Sequence, residues 1–425
     1  MKRSMKLAPV AMLGAVALVL TACSSSTTGG TATGPAASGL AGRGPITYVQ
    51  GKDNSNVVKP LVATWNAAHP KEQVTFKEQT DSADQQHDDL VQNFQAKNPN
   101  YDVMSVDVIW TAEFAAKGWL QPLKGKQALD TSAMLPSTVK TATYNKVMYA
   151  APVTTDGGIL YYRKDLVPTP PKTWDEMMGM CTIAKAKKIG CYAGQFFKYE
   201  GLTVNSAEAV NSAGGTILGT DGKATVTSAD AKKGLQNLAT AYANGNIPKE
   251  AITFKEEEGR LAFENGKLMF LRNWPYVYNL AKTDGSSKVK ETFAMAPLPG
   301  VTGPGASSLG GHNAAISVYS KNKATAADFL KFLTSTAQQK AFVSQGSLAP
   351  ILTALYDDPA LAAKSPYLPV LKTSLENAVP RPVTPFYPAV SKAVQDNAYG
   401  AIKGEVPVDK AMANMQKAIQ AAGAQ

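Results

Sequence analysis

The chain has 425 residues, is 44% hydrophobic and carries a formal charge of +10, so it can bury a large core but is too long for one ordinary domain. Its lysines are scattered and no dense basic run is interleaved with aromatics, a pattern that gives a nucleic-acid interface poor support. Three cysteines and three histidines (His69, His87 and His312) show no metal-ligand spacing, so neither a metal nor another cofactor is expected.

Lys2, Arg3 and Lys6 precede an apolar run from Leu7 to Leu20, too short for a membrane span and flanked like a secretory signal peptide, 1–22. The run ends in Leu20-Thr21-Ala22-Cys23, which resembles the bacterial lipobox; the alternative is an ordinary signal peptide with a chance cysteine. The resemblance implies that Cys23 becomes the lipidated first residue, on the outer face of a cell membrane, held by two or more acyl chains. Removing the signal peptide lowers the charge to +7, because Lys2, Arg3 and Lys6 leave with it. The Ser/Thr/Gly/Ala tract to Gly44 has almost no apolar bulk and reads as a flexible tether, 23–44, with a reach of roughly 25 Å.

The body alternates short β-like runs with helical stretches, the pattern of an α/β fold. Strands are expected at Ile46 to Gln50, Gln73 to Lys77, Tyr101 to Val106, Gly158 to Tyr162, Lys267 to Leu271, Ala294 to Pro297 and Ala314 to Val318. Val57, Leu61, Val62 and Trp65 have helical spacing. Thr173-Trp-Asp-Glu176 is a capping box, Ser228 opens a helix ending near Gly245, and one helix is expected from Thr325 to about Gly346. A Pro-rich turn follows at Pro380 to Pro388, and a last amphipathic helix runs from Val408 to about Ala421. With Cys23 taken by lipid, Cys181 and Cys191 remain as a pair in an oxidising compartment, where a local disulfide is favoured over free thiols.

No catalytic signature is present: no G-x-S-x-G, H-E-x-x-H, P-loop or G-x-G-x-x-G. The glycines of Gly300 to Gly305 have the wrong spacing for a phosphate cradle and read as a turn. Glu256-Glu-Glu258 reads as a solvated acidic first turn of a helix. The chain is therefore expected to bind rather than catalyse; a surface glycosidase, which needs only two facing carboxylates, is the weaker alternative.

In open α/β sheets, ligands lie beyond the carboxyl ends of strands. Those positions here carry Asp53 and Asn54, Asp107 with Trp110, Asp156, and Arg272-Asn-Trp-Pro-Tyr276. Carboxylates, amides and an Arg fork can each hold paired sugar hydroxyls, and flat aromatic faces pack on pyranose C–H faces. No cluster of one sign dominates, so the expected ligand is a neutral polyol. Each residue has a structural alternative: Trp274 and Tyr276 as core, Asp107 as a helix cap, Asp156 as a turn residue, Arg381 as a surface ion-pair partner.

The segments Asp107 to Gly118, Tyr161 to Asp165 with Pro170 to Glu176, Phe263 to Met269, Gly310 to Ser317 and Ser320 to Ala324 resemble the family 1 solute-binding proteins of ABC importers, in family order. Tyr199-Glu-Gly-Leu202, Arg272 to Tyr276 and Arg381-Pro are most similar to the trehalose/maltose-binding branch. The resemblance implies a two-lobed periplasmic-binding-protein fold of the maltose-binding type, with 45–153 plus 300–334 in one lobe and 156–297 plus 337–425 in the other. It implies a disaccharide ligand in the cleft, a membrane permease with its ATPase on the cytoplasmic side as partner, and a monomer. It also carries sugar contacts onto Asp53 or Asn54, Asp107, Asp156, Glu200, Trp274, Tyr276, Gly311, His312 and Arg381. Some relatives place Trp where this chain has His312, and an aromatic where it has Thr154, so the sugar stays open: trehalose- or maltose-like, another oligosaccharide, or a glycerol-phosphate-type solute.

Overall fold

The computed structural model describes residues 41–423; the expected signal peptide, Cys23 and most of the tether lie outside them. Ile46–Gln50 forms β1, with Ile46 and Tyr48 facing one core and Val49 the other, the alternation of a strand covered on both faces. Helix Val58–Ala68 leads to β2 (Val74–Glu78), and helix Ala83–Gln95 leads to β3 (Val103–Asp107). Both links are crossovers, so β1 pairs in parallel with β2 and with β3. A hairpin of β4 (Thr143–Tyr144) and β5 (Val147–Met148) precedes β6 (Ala150–Asp156).

Only Gly157 and Gly158 separate β6 from β7 (Ile159–Arg163), yet the two strands belong to different sheets. With β8 (Gly190–Ala193), β9 (Leu268–Asn273) and β10 (Phe293–Pro297), β7 builds a smaller sheet of order β10-β7-β9-β8. The chain returns through a turn in which Gly300 N–H donates to the Gly303 carbonyl at 2.7 Å, and enters β11 (Ser308–Ile316). β11 lies antiparallel to β3 and to β6, and its first residues pair with β12 (Val379–Pro380). The larger sheet thus runs β12-β11-β3-β1-β2, with β6 on the free flank of β11.

The result is a two-lobed α/β fold with one sheet at the heart of each lobe. Two apolar clusters cover the faces of the larger sheet, one around Trp65 and Phe329 and the other around Phe94 and Phe114. A third surrounds the smaller sheet and includes the helices Tyr387–Ile402 and Val408–Gly423. In that lobe Thr173 caps helix Trp174–Lys187 with the expected reciprocal bonds to Glu176, and Cys181 is bridged to Cys191 with 5.2 Å between Cα atoms. The bridge fastens the helix to β8.

Two expectations fail for local reasons. The helix expected from Thr325 to Gly346 is two helices, Lys323–Leu333 and Thr336–Gly346, because the Ser335 hydroxyl accepts the Gln338 N–H and starts a new one. The end of the expected tether is also fastened. Arg43 reaches Glu72 at 2.9 Å and Asp328 at 2.6 Å, and the Gly42 carbonyl accepts the Ala324 N–H, so Gly42 to Gly44 lie on the body.

The crossing at Gly158 is shaped by a buried ion pair. Arg272 on β9 has no exposed surface and donates to Glu208 from Nε (2.7 Å) and Nη2 (2.5 Å), and to Gln195 from Nη1 (2.9 Å). Glu208 also accepts the Ser308 N–H at the start of β11. A Cβ on residue 158 would stand 2.7 Å from the Glu208 carboxylate, so only glycine lets the strand pass. Removing one partner of such a pair strands the other charge in the core. Glu208→Ala is expected to cost about 3–5 kcal/mol, measured by urea unfolding.

Candidate functional site

The carboxyl ends of β1, β3 and β9, the junction of β6 with β7, and the start of β11 converge on one cleft of about 1370 Å³, including its open mouth. All ten residues expected to contact ligand line it: Asp53, Asn54, Asp107, Asp156, Glu200, Trp274, Tyr276, Gly311, His312 and Arg381. Their roles within it differ.

Asp53 is committed to the backbone. Its carboxylate accepts N–H groups from Val57 (3.3 Å) and Val58 (2.8 Å), capping the helix that follows β1. Asn54, half-buried beside it, has no side-chain hydrogen bond among the described residues and is the free member of the pair. Asp107 closes β3, takes the Ile109 N–H (3.3 Å) as a local turn and accepts Arg381 Nη2 at 3.0 Å. It does not cap the helix that follows, Thr111–Ala116, whose start at Trp110 has no side-chain cap.

Arg381 is buried, not on the surface. It extends from the end of β12, and its Nη1 reaches Glu200 Oε1 at 2.6 Å while Nη2 holds Asp107. Glu200 opens helix Glu200–Ser212 and also accepts the hydroxyls of Tyr387 and Ser391. Burial opposes the charge on Arg381, but Asp107 and Glu200 outweigh it and raise its pKa. Burial pushes the Glu200 carboxyl up, against the pull of Arg381. Arg272, which opens the run to Tyr276, is spent on Glu208 and Gln195.

The aromatic wall rests on that same arginine. The Arg272 guanidinium lies 3.9 Å from the centre of the Trp274 ring, which stays half-buried and outside the apolar cores. Tyr276 is only partly core: it packs against the smaller sheet's cluster and donates its hydroxyl to Glu257 at 2.7 Å. Gly311 has φ +113, and a Cβ there would meet the Thr154 carbonyl oxygen at 2.3 Å. His312 follows at a register shift between β11 and β6 and turns its ring to the cleft. The side chain is exposed to the cleft, and loss of solvent between the cleft walls lowers its pKa, with Asp107 opposing.

Glu256 escaped the sequence reading. Its run does start a helix, Glu256–Glu264, but Glu256 is not solvated: it faces the cleft and accepts the Tyr199 hydroxyl at 2.6 Å. A helix start is no strand end, so the rule that found the other residues could not reach it. Two rim contacts were missed for the same reason. Lys255 bridges to Asp81 at 3.0 Å across the mouth, and Asp84 accepts Glu200 N–H (3.1 Å) and Gln395 Nε2 (3.3 Å).

The expectation that neither sign dominates also fails. Among the described residues, six carboxyl groups but two permanent cations, Lys52 and Arg381, line the cleft. Asp156 has no side-chain hydrogen bond among the described residues; burial and the neighbouring Asp107 push its pKa to about 8, against a weaker pull from Arg272. With the folded pKa above the unfolded one of about 3.9, the native state loses stability as pH rises between the two values. Asp156→Asn should therefore leave the Tm of the unliganded protein little changed at pH 4 and raise it progressively to about pH 8, levelling beyond. A scanning-calorimetry difference that stays flat from pH 4 to 9 would contradict this.

Residues 50–340 match the family described as bacterial extracellular solute-binding protein. A probable ABC transporter-binding protein of Deinococcus radiodurans is 34% identical over 330 residues, 73% of this chain and 77% of its own length. A mannitol-binding protein of Pseudomonas aeruginosa is 25% identical over 362 residues, 77% of this chain and 81% of its own. The maltose-bound MalE3 of T. maritima superposes with a TM-score of 0.84 at 33% identity, over 88% of this chain and 99% of that one. Fold, cleft and sequence agree: the chain belongs to the bacterial extracellular solute-binding proteins.

Proposed function

We propose that this protein captures a sugar of disaccharide size, an α-linked glucoside of the trehalose or maltose type, and delivers it to the permease of an ABC importer whose ATPase lies on the cytoplasmic side. The observation that carries the reading is the pairing, in one interlobe cleft, of carboxylates with a half-exposed tryptophan fixed from behind. Carboxylates and the Asn54 amide take paired hydroxyls, while the Trp274 ring meets the apolar face of a pyranose. The ABC partnership is supported by the name of the Deinococcus relative, and the sugar by the maltose bound to MalE3.

The lobes, 45–153 with 300–334 and 156–297 with 337–425 apart from β12, which lies in the larger sheet, close over the sugar by bending at Gly157 and Gly158 and at the Gly300 turn. Closure excludes water and strengthens each hydrogen bond. The protein works as a monomer held at the outer face of the membrane through lipidated Cys23, and no covalent chemistry is required of it.

Ligand that binds only the folded state stabilises it by about 2.7 kcal/mol at a hundredfold excess over Kd. Thermal-shift assays on the purified protein should therefore give a raised Tm with trehalose, maltose or a related α-glucoside. Trp274→Ala should keep a cooperative transition and lose the response. The absence of any shift across such glucosides in the unaltered protein would overturn the reading.

A further inference from the structure

The cleft holds more negative charge than its own cations can balance. Asp53 is spent on a helix N-terminus and Asp81 on Lys255, while Asp107 and Glu200 share the single guanidinium of Arg381. Glu256 has the Tyr199 hydroxyl. Asp156 has no side-chain partner among the described residues: of the charges that act on it, Asp107 repels, and Arg272 is already held twice by Glu208. Tyr199, Trp274 and Tyr276 line the same cleft. Asp156 and the Trp274 ring flank Gly310 from the same side, and an unpaired carboxylate beside an aromatic ring is the chemistry that receives an alkylammonium group.

We propose that the cleft selects sugars bearing a protonated amine, seated on Asp156, over their neutral parents. This rests on the reading of the cleft as a sugar site and names the substrate class more closely. The ammonium forms a charge-assisted hydrogen bond to Asp156 that a hydroxyl cannot match, and it relieves the repulsion from Asp107. Because Asp156 keeps its proton up to about pH 8 in the empty cleft, amine binding near neutral pH expels that proton to buffer.

Calorimetry on the purified protein at pH 7 tests this with trehalose and maltose against their mono-amino-deoxy derivatives, one for each hydroxyl position. At least one derivative should bind roughly tenfold or more tightly than its parent, and Asp156→Asn should abolish that advantage. Titrations of the unaltered protein in buffers of different ionisation heat should register a proton released with the amine and none with the parent. If the parents bind and every amine binds equally or more weakly, or no proton is released, the proposal is overturned while the sugar-binding reading stands. An advantage that survives Asp156→Asn overturns the seat on Asp156. Failure of parents and derivatives alike overturns the sugar reading itself.

Discussion

A guanidinium with no exposed surface has to be answered by its surroundings, and Arg272 determines much of what lies around it. Its two bonds to Glu208 draw helix Glu200–Ser212 against β9, and Glu208 in turn takes the first N–H of β11. The pair therefore ties the smaller sheet to the strand that belongs to the larger one. It excludes any side chain at residue 158, where the chain changes lobes. Its outer face supports Trp274. One desolvated ion pair, costly alone, thus sets the crossing and the aromatic wall together.

Arg381 has the converse position. Its carboxylates come from opposite lobes, Asp107 from the end of β3 and Glu200 from the helix packed on the smaller sheet. Its Nε has no partner among the described residues. A bridge of this kind is strong only while the walls face each other at bonding distance, so it responds to lobe separation as Arg272 does not. Lys255 with Asp81 repeats the arrangement at the rim with both groups partly solvated, where such a pair contributes roughly 0–1 kcal/mol. The contacts across the cleft are therefore graded, deeply buried at the base and weak at the mouth.

Much of this was legible in the sequence because strands and their ends follow short-range rules. Ile46 to Gln50 alternates, β3 is apolar throughout apart from Ser105 and its terminal Asp107, and the Thr173 capping box is local chemistry. The cleft residues at strand ends followed from topology and from resemblance. What escaped depended on three-dimensional neighbours. The apolar period runs smoothly across Thr334 and Ser335, so only the hydroxyl's choice of Gln338 N–H reveals the break. A run of three glutamates looks the same whether its first member meets water or the Tyr199 hydroxyl. Asp53 and Asn54 were interchangeable until the helix claimed one of them.

The balance of charge in the cleft differs from that of the chain as a whole. The chain as a whole is basic, and its lysines are spread over the surface, where solvent and salt screen them within about 10 Å. The carboxylates are gathered inside walls of low polarisability, where the same charge acts far more strongly. A solute approaching the body meets a weak positive field, and one entering the cleft meets carboxyl groups that outnumber the cations beside them. Net charge thus bears on what the surface faces, while the few groups left unpaired inside decide what is held. Among those groups Asp156 has no cation paired to it among the described residues, so its charge is answered by a proton or by the ligand.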